Sequence, residues 1–308
     1  METFSAIPVF VAVVENGSFS KAAEKLGTSK SAVSKRVSRL ENTLGVKLLH
    51  RTTRKLSLTG AGEQYFHYAL KALIAASEGI DTVTQLQGKP KGVLKVSSPM
   101  SFGRLHLAPL VADFLTHYPD ITLNLVMDDK KVDLVEAGFD VAIRAGEMQD
   151  SSLIARRLAS CRSVICASPF YLEKHGIPST PAELKEHNCI SFSYGNNANE
   201  WVFHHSDGIQ KIKAEGNYQV NNSEALQKAT LEGLGIAKIP TFVIGQDISK
   251  GHLVPLLEQY SLPMQTFYVV FPERRYLPAK VRVFLDFIIE KLASDHPYWE
   301  VNSTISQS

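Results

Sequence analysis

Cysteine is scarce in this sequence. Three thiols in 308 residues, Cys161, Cys166 and Cys189, form no Cys-x-x-Cys pair, which argues against a secreted disulfide framework and suits a reducing compartment. Long apolar runs are missing as well. Val9 to Val14 is too short to span a bilayer, follows an acidic Glu2, and has no small-residue cleavage site behind it. No export and no membrane association are therefore expected, which disfavours a secreted solute-binding protein and makes the cytoplasm the default. Catalytic signatures are also wanting: there is no Gly-x-Ser-x-Gly, no P-loop and no His-Glu-x-x-His. His204-His205 has no partner at metal spacing and reads as surface strand. Neither an enzyme nor a bound metal or other cofactor is expected. What is present, 44% hydrophobic and 21% charged content, is globular and long enough for two domains.

The formal net charge of +2 conceals an asymmetry. Residues 1–60 carry ten Lys and Arg against four Glu, a surplus of +6, and the remainder carries −4. A basic head on a mildly acidic body points to a polyanion met by the head. On composition alone, a solvated basic surface helix explains it equally well.

Pattern sharpens this. Ala22, Ala23 and Leu26 form the inward face of one short helix, and Leu26-Gly27-Thr28-Ser29 turns into a second. Its apolar positions are Ala32, Val33, Val37, Leu40 and Leu44, and it stops at Gly45. Ile7 to Glu15 reads as a supporting helix that tolerates Pro8 only in its first turn. Val46 to Leu49 and Leu56 to Leu58 flank a basic tip, Arg51-Thr52-Thr53-Arg54-Lys55, as in a β-wing. Opposite the apolar face of the second helix stand Ser29, Lys30, Ser31, Ser34, Lys35 and Arg36. Such hydroxyls and cations suit a major groove. Ser29 also has the chemistry of a helix cap, and the two roles can coexist.

The run from Phe10-Val11 through Gly17-Ser18-Phe19, Ala22-Ala23, Leu26, Ser29, Val33-Ser34, Val37, Leu40-Glu41, Leu44-Gly45, Leu48-Leu49, Arg51, Arg54 and Leu58-Thr59 to Ala61-Gly62 resembles the winged helix-turn-helix of LysR-type transcriptional regulators. Leu49 stands where that family usually has Phe, and Pro8 is unusual in the first helix. Neither touches the reading face. The resemblance implies that Lys30, Ser31, Ser34 and Lys35 face the groove, and that Arg51, Thr52 and Arg54 meet the DNA backbone.

Ala61 to Gln87 spaces Phe66, Ala69, Leu73, Ala76, Ile80 and Val83 three and four apart, the seam of a two-stranded coiled coil and hence of a homodimer. A single amphipathic helix packed on its own domain shows the same period. Gly88 to Gly92 breaks the helix as a hinge. From Val93 the chain alternates apolar runs and helical patterns, which points to α/β architecture with mostly parallel strands. Strands are expected at Val93–Ser97, Ile121–Met127, Phe139–Arg144, Val164–Ala167, Asn188–Ser193, Gly235–Ile239 and Phe267–Phe271. Helices are expected along Leu107, Leu110, Val111, Phe114 and Leu115, at Val132–Ala137 and Ser223–Leu234, and along Val281, Phe284, Leu285, Ile288 and Leu292.

The fold class is therefore α/β: a winged helix-turn-helix (1–60), a linker helix (61–87), a hinge (88–92) and an effector-binding domain (93–300) before a tail (301–308). By resemblance that domain is a two-lobed type 2 periplasmic-binding-protein-like body. Lobe I spans about 93–162 and 267–295, and lobe II about 163–266, with crossovers near Ala159–Ser163 and Pro263–Thr266. Ligands of open α/β sheets sit beyond the carboxyl ends of the strands. Ser98, Met100, Ser101 and Phe102 lie in such a turn, where hydroxyls and backbone N–H groups suit an anion, although a capped turn without ligand fits equally. Arg144, Asn222 and Ser223 complete the expected cleft and point to a small carboxylate. Arg144 in a structural ion pair is the competing reading. Tyr194 and Trp201 are candidates for the pocket or the core.

The expected function is thus a LysR-type regulator on double-stranded DNA, an interrupted palindrome. It is modulated by a small-molecule effector and assembled as a homodimer or, as a dimer of dimers, a homotetramer, in contact with the transcription machinery. The alternatives are a cytoplasmic two-lobed binding protein, or a thiol redox sensor, with a basic nucleic-acid-binding head. Redox switching by Cys161, Cys166 or Cys189 has little support, because Cys166 and Cys189 lie in apolar strand patterns where cysteine packs as a small hydrophobe.

Overall fold

A computed structural model describes residues 2–51, 56–85, 89–130, 133–146, 153–193, 199–206, 208–273, 277–294 and 297–300; the side chains of 2, 3, 51, 74, 77, 78 and 80–85 are outside that description. The chain forms two compact units, Met1–Lys89 with Val132–Gly138, and Pro90–Lys131 with Phe139–Ser308.

In the first unit, α1 (Glu2–Asn16), α2 (Phe19–Lys25) and α3 (Lys30–Leu44) precede β1 (Leu49–Arg51), β2 (Leu56–Leu58) and α4 (Gly60–Gln85). Hydroxyls of Ser18 and Ser29 accept the N–H groups of Lys21 and Ala32 and start α2 and α3. Gly45, at φ 70°, ends α3 in a conformation that side chains with a Cβ resist. Phe10, Val13, Val33, Val37, Leu40 and Leu48 form the core, each burial stabilising by about 1.5–3 kcal/mol. Glu41 is buried beneath the wing. Its Oε1 accepts the N–H groups of Leu48 (3.0 Å) and Leu49 (3.2 Å), and its Oε2 meets Lys47 Nζ at 3.0 Å. At Gly62 a Cβ would lie 2.0 Å from the Leu48 carbonyl oxygen, so only glycine lets α4 dock so closely on the wing base.

Three expectations for this unit change. The first helix begins at Glu2, so Pro8 lies inside it. Its ring is at the surface, where water can take the Phe4 carbonyl that loses its N–H partner. Leu26 and Leu44 are each 38% exposed, not inward, because both sit where their helices run out of core. The linker seam is partly spent within the chain: Ala69 is buried in the head core, with Phe66 and Leu73 packed on it and Phe66 edge-on to Phe10 at 6.4 Å. Ala76 is exposed, whereas the side chains of Ile80 and Val83 lie outside the described residues.

The second unit holds two five-stranded sheets. The first comprises β3 (Gly92–Ser98), β4 (Ile121–Met127), β5 (Val141–Ala145), β6 (Leu153–Cys161) and β14 (Gln265–Pro272), in the order β4-β3-β5-β14-β6. The second comprises β7 (Ser163–Ala167), β8 (Cys189–Phe192), β11 (Gln219–Val220), β12 (Ile236–Pro240) and β13 (Val254–Leu256), in the order β11-β8-β12-β7-β13. The chain crosses between them at Arg162 and returns between Leu256 and Gln265. A hairpin, β9 (Glu200–His205) and β10 (Gly208–Lys213), stands apart from both sheets and buries Trp201 and Phe203.

Each sheet has two parallel and two antiparallel junctions, where mostly parallel strands were expected. The antiparallel half comes from the two crossings, which bring strands of opposite direction beside the central strand. After β3, α5 (Met100–Phe102) runs through a π-helical turn (Gly103–Leu107) into α6 (Ala108–His117). The remaining helices are α7 (Pro169–His175), α8 (Ser223–Leu231), α9 (Thr241–Ser249) and α10 (Ala279–Leu292), with a 3-10 turn at Pro181–Glu186. The expected helix at Val132–Ala137 is replaced, over its described residues, by turns in which Asp133 Oδ1 accepts the Glu136 N–H at 2.8 Å. The helix from Ser223 stops at Leu231, ahead of Gly233 at φ 77°.

A short segment near the end of the described chain straps both sheets together. Glu300 accepts Arg162 Nε at 3.1 Å and Thr241 Oγ1 at 2.7 Å, while Trp299 packs against Phe102 and His106. Gly245 of α9 is obligatory here, since a Cβ would meet the Trp299 carbonyl oxygen at 2.2 Å. His106 Nε2 lies 3.0 Å from the Phe242 carbonyl oxygen and Nδ1 meets the Tyr298 hydroxyl. Burial holds this imidazole below its ordinary pKa, against the opposing pull of the Phe242 carbonyl.

Candidate functional site

Two surfaces of this fold have chemistry to offer, one on each unit. On the first, α3 buries Val33, Val37, Leu40 and Glu41 and turns Lys30, Ser31, Lys35 and Arg36 to solvent, with Ser34 half-buried. Ser29 caps the helix, its Oγ accepting the Ala32 N–H at 3.2 Å and lying 3.0 Å from Ser31 Oγ. The first turn of α3 contains no acid, so the positive end of the helix dipole is not offset there. The Arg51 side chain, Thr52 and Arg54 lie outside the described residues.

On the second unit, the expected anion cradle after β3 is already filled by the protein. The Met100 N–H donates to Asp129 Oδ1 at 3.0 Å, and Ser98 Oγ donates to the Pro99 carbonyl at 3.2 Å. Burial raises the Asp129 carboxyl above its ordinary range, and Asp128 adds to this, while the Met100 N–H works in the opposite direction. Ser98 and Ser101 are buried. Phe102 belongs to the core, 4.2 Å from Phe267 between ring centres and edge-on to Phe242 at 5.7 Å. It is fully buried, with Trp299 edge-on to its ring at 5.9 Å. Met100 is the exposed member of the set. Trp201 is core, 1% exposed, and Tyr194 lies outside the described residues.

Arg144 is different. Its Nη1 donates to Ser97 Oγ at 3.2 Å and to the Ile143 carbonyl at 3.0 Å, while Nη2 is buried with no hydrogen-bond partner. Among the described residues no carboxylate pairs with it, so the structural ion pair that competed with a ligand role is not seen. Burial lowers its pKa, the signature of a guanidinium short of counter-charge. Asn222 caps α8 through its Oδ1, which accepts the Ala225 N–H at 2.9 Å. Ser223 is half-buried beside it. The next residue, Glu224, accepts Arg104 Nε at 2.6 Å and joins the second sheet's α8 to the first sheet's π-helical turn.

Residues 4–63 match the profile described as "Bacterial regulatory helix-turn-helix protein, lysR family", and residues 87–293 match the "LysR substrate binding domain". CrgA of Neisseria meningitidis, an HTH-type transcriptional regulator, is 41% identical over 290 residues, covering 94% of this chain and 97% of CrgA. The chain belongs to the LysR family of transcriptional regulators. Its fold is likewise that of full-length family members. The CrgA structure superposes with a TM-score of 0.63, covering 94% of this chain and 99% of that one. The structure of the Vibrio cholerae virulence activator AphB, 30% identical, superposes with a TM-score of 0.63 over 93% of this chain and 98% of AphB. The protein is therefore a DNA-binding regulator with a substrate-binding domain and not an enzyme.

In this LysR-type regulator the three cysteines are free and buried. Burial pushes the Cys161 and Cys189 thiols up to about 12 and raises Cys166 further, so none carries the thiolate that a redox sensor needs. Sequence reasoning missed Asp129, because a cap supplied from another loop leaves no local spacing. It also missed Lys238, a half-buried lysine of β12 that can be picked out once its strand is known to be central. Among the described residues no helix is long and apolar enough to cross a membrane.

Proposed function

We propose that this LysR-type regulator sets two heads on an interrupted palindrome of double-stranded DNA and responds to a small carboxylate held between the two lobes of its second unit. Lys30, Ser31, Ser34, Lys35 and Arg36 enter the major groove with Ser29 at the helix start, and Arg51, Thr52 and Arg54 meet the phosphates. The exposed face of α3 supports this placement. A homodimer supplies the two heads. With Phe66, Ala69 and Leu73 engaged in the head core, pairing falls to the distal stretch of α4 around Ala76, Ile80 and Val83. A dimer of dimers in the cytoplasm is the working assembly.

The buried, partnerless Nη2 of Arg144 carries the effector reading. A buried donor without an acceptor costs roughly 1–3 kcal/mol, more on a charged group, and a carboxylate accepting from it removes that cost. Asn222 and Ser223 at the start of α8 approach from the other lobe. Control requires that the carboxylate bind one assembly state more tightly than the other. A thermal-shift screen of small carboxylates on the full chain tests this, with hits carried into operator gel shifts. A hit should raise the melting temperature of the wild type, leave Arg144→Gln unmoved and alter operator affinity. Hits that stabilise both proteins equally would contradict the assignment.

A further inference from the structure

The Arg144 guanidinium is tied down at one nitrogen and open along one edge. Such a group carries one N–H on Nε and two on each terminal nitrogen, all in a rigid plane. Both N–H groups of Nη1 are spent within the protein, on Ser97 Oγ at 3.2 Å and on the Ile143 carbonyl at 3.0 Å. Nη2 is buried with no partner. Nε makes no hydrogen bond among the described residues, and it is not one of the buried partnerless atoms, so this edge of the group keeps contact with solvent. Nε–H and one N–H of Nη2 run parallel along that edge, at the spacing of the two oxygens of a carboxylate.

Strand register explains why Nη1 is the nitrogen that is held. Ser97 of β3 pairs with Ala142 of β5, so Ser97 and Arg144 stand on the same face of the sheet, while Val96, Val141 and Ile143 enter the core on the other. Ser97 is 2% exposed, which makes its hydroxyl a fixed point of the strand and not a mobile surface group. Ser98 alternates to the opposite face and donates to the Pro99 carbonyl instead. With no carboxylate beside it among the described residues, Arg144 takes its orientation from Ser97 and the Ile143 carbonyl. A long side chain fixed before the ligand arrives loses less freedom on binding.

We propose that Ser97 is a positioning residue of the effector site: by taking up Nη1 it presents the Nε–Nη2 edge of Arg144, and the effector carboxylate is accepted flat and bidentate along that edge. This rests on the carboxylate reading of Arg144 and adds how the acid is held and which side chain aims the guanidinium. Charge alone does not meet the requirement. A lysine at position 144 keeps the charge but has no pair of parallel donors.

Calorimetry and NMR on the full-length protein, isotope-labelled at the arginine nitrogens, test the proposal with acetate, butyrate and benzoate as probes. The Arg144 signals are assigned by their loss in Arg144→Gln. At least one probe should bind wild type and shift the Arg144 Nε–H signal. Ser97→Ala should weaken that binding about fivefold or more, and Arg144→Lys about tenfold or more. Before any probe is added, wild type should show separate Nη1 and Nη2 signals for Arg144, because Nη1 is held, and Ser97→Ala should merge them. Weaker binding in Ser97→Ala with the two signals still separate would make Ser97 merely structural and overturn the proposal. Binding that survives unchanged in Ser97→Ala or in Arg144→Lys would also overturn it, while the carboxylate reading of Arg144 would stand. If no probe bound in an Arg144-dependent way, both would fall.

Discussion

The Glu41 carboxylate accepts the Leu48 N–H at 3.0 Å, fixing the end of the recognition helix to the first strand of the wing. Because the same oxygen also takes the Leu49 N–H and the side chain is fully buried, truncation leaves two buried donors unpaired. Glu41→Ala should destabilise the head by roughly 2–4 kcal/mol and weaken DNA binding through loss of wing placement. Thermal unfolding followed by an operator titration checks both, and an unchanged melting temperature would contradict the role.

Much of this head was legible in the sequence, because its signals are local. Ser29 followed by Val33, Val37 and Leu40 at helical spacing, then Gly45, marks one helix with both ends. The second unit was legible as alternating strands and helices, less so in its pairing. β6 was not visible, since Arg156 and Arg157 interrupt its apolar pattern. α9 was hidden by Gly245, which reads as a helix breaker until the Trp299 carbonyl shows why a side chain cannot fit. Of the effector candidates, Arg144 keeps a buried nitrogen without a partner, whereas Phe102 is wholly packed in the core against Phe242, Phe267 and Trp299. Both facts depend on contacts distant in the chain that composition does not record.

His106 should make the strap sensitive to acid. Burial holds its pKa below the ordinary 6.5, so the folded state disfavours the charged ring. Below that ordinary value the unfolded chain binds the proton more readily, and the stability contributed by neutral His106 is lost as pH falls from about 6.5 toward the depressed folded value. Melting temperature recorded against pH should therefore drop on the acid side in wild type and drop less in His106→Gln. Parallel curves would show that His106 does not titrate between the two states.

The cysteines should be inert in the folded protein. With thiols raised by burial, the native chain is expected to react negligibly with a chromogenic disulfide reagent at neutral pH and to release all three thiols once denatured. Mild peroxide should leave operator binding unchanged. A fast-reacting native thiol, with altered DNA affinity, would revive the redox-sensor reading.

The central claim is that α3 reads DNA through its exposed basic face, and a salt-dependent titration meets it most directly. Anisotropy of a labelled duplex from the chain's own upstream region, titrated with wild type and Lys35→Ala over a range of salt concentrations, gives affinity and its salt slope together. The account predicts that affinity falls linearly in log–log form, and that Lys35→Ala binds more weakly. If Lys35 meets a phosphate, the slope of each head is reduced by about one. Binding that ignores both salt and Lys35 would contradict it.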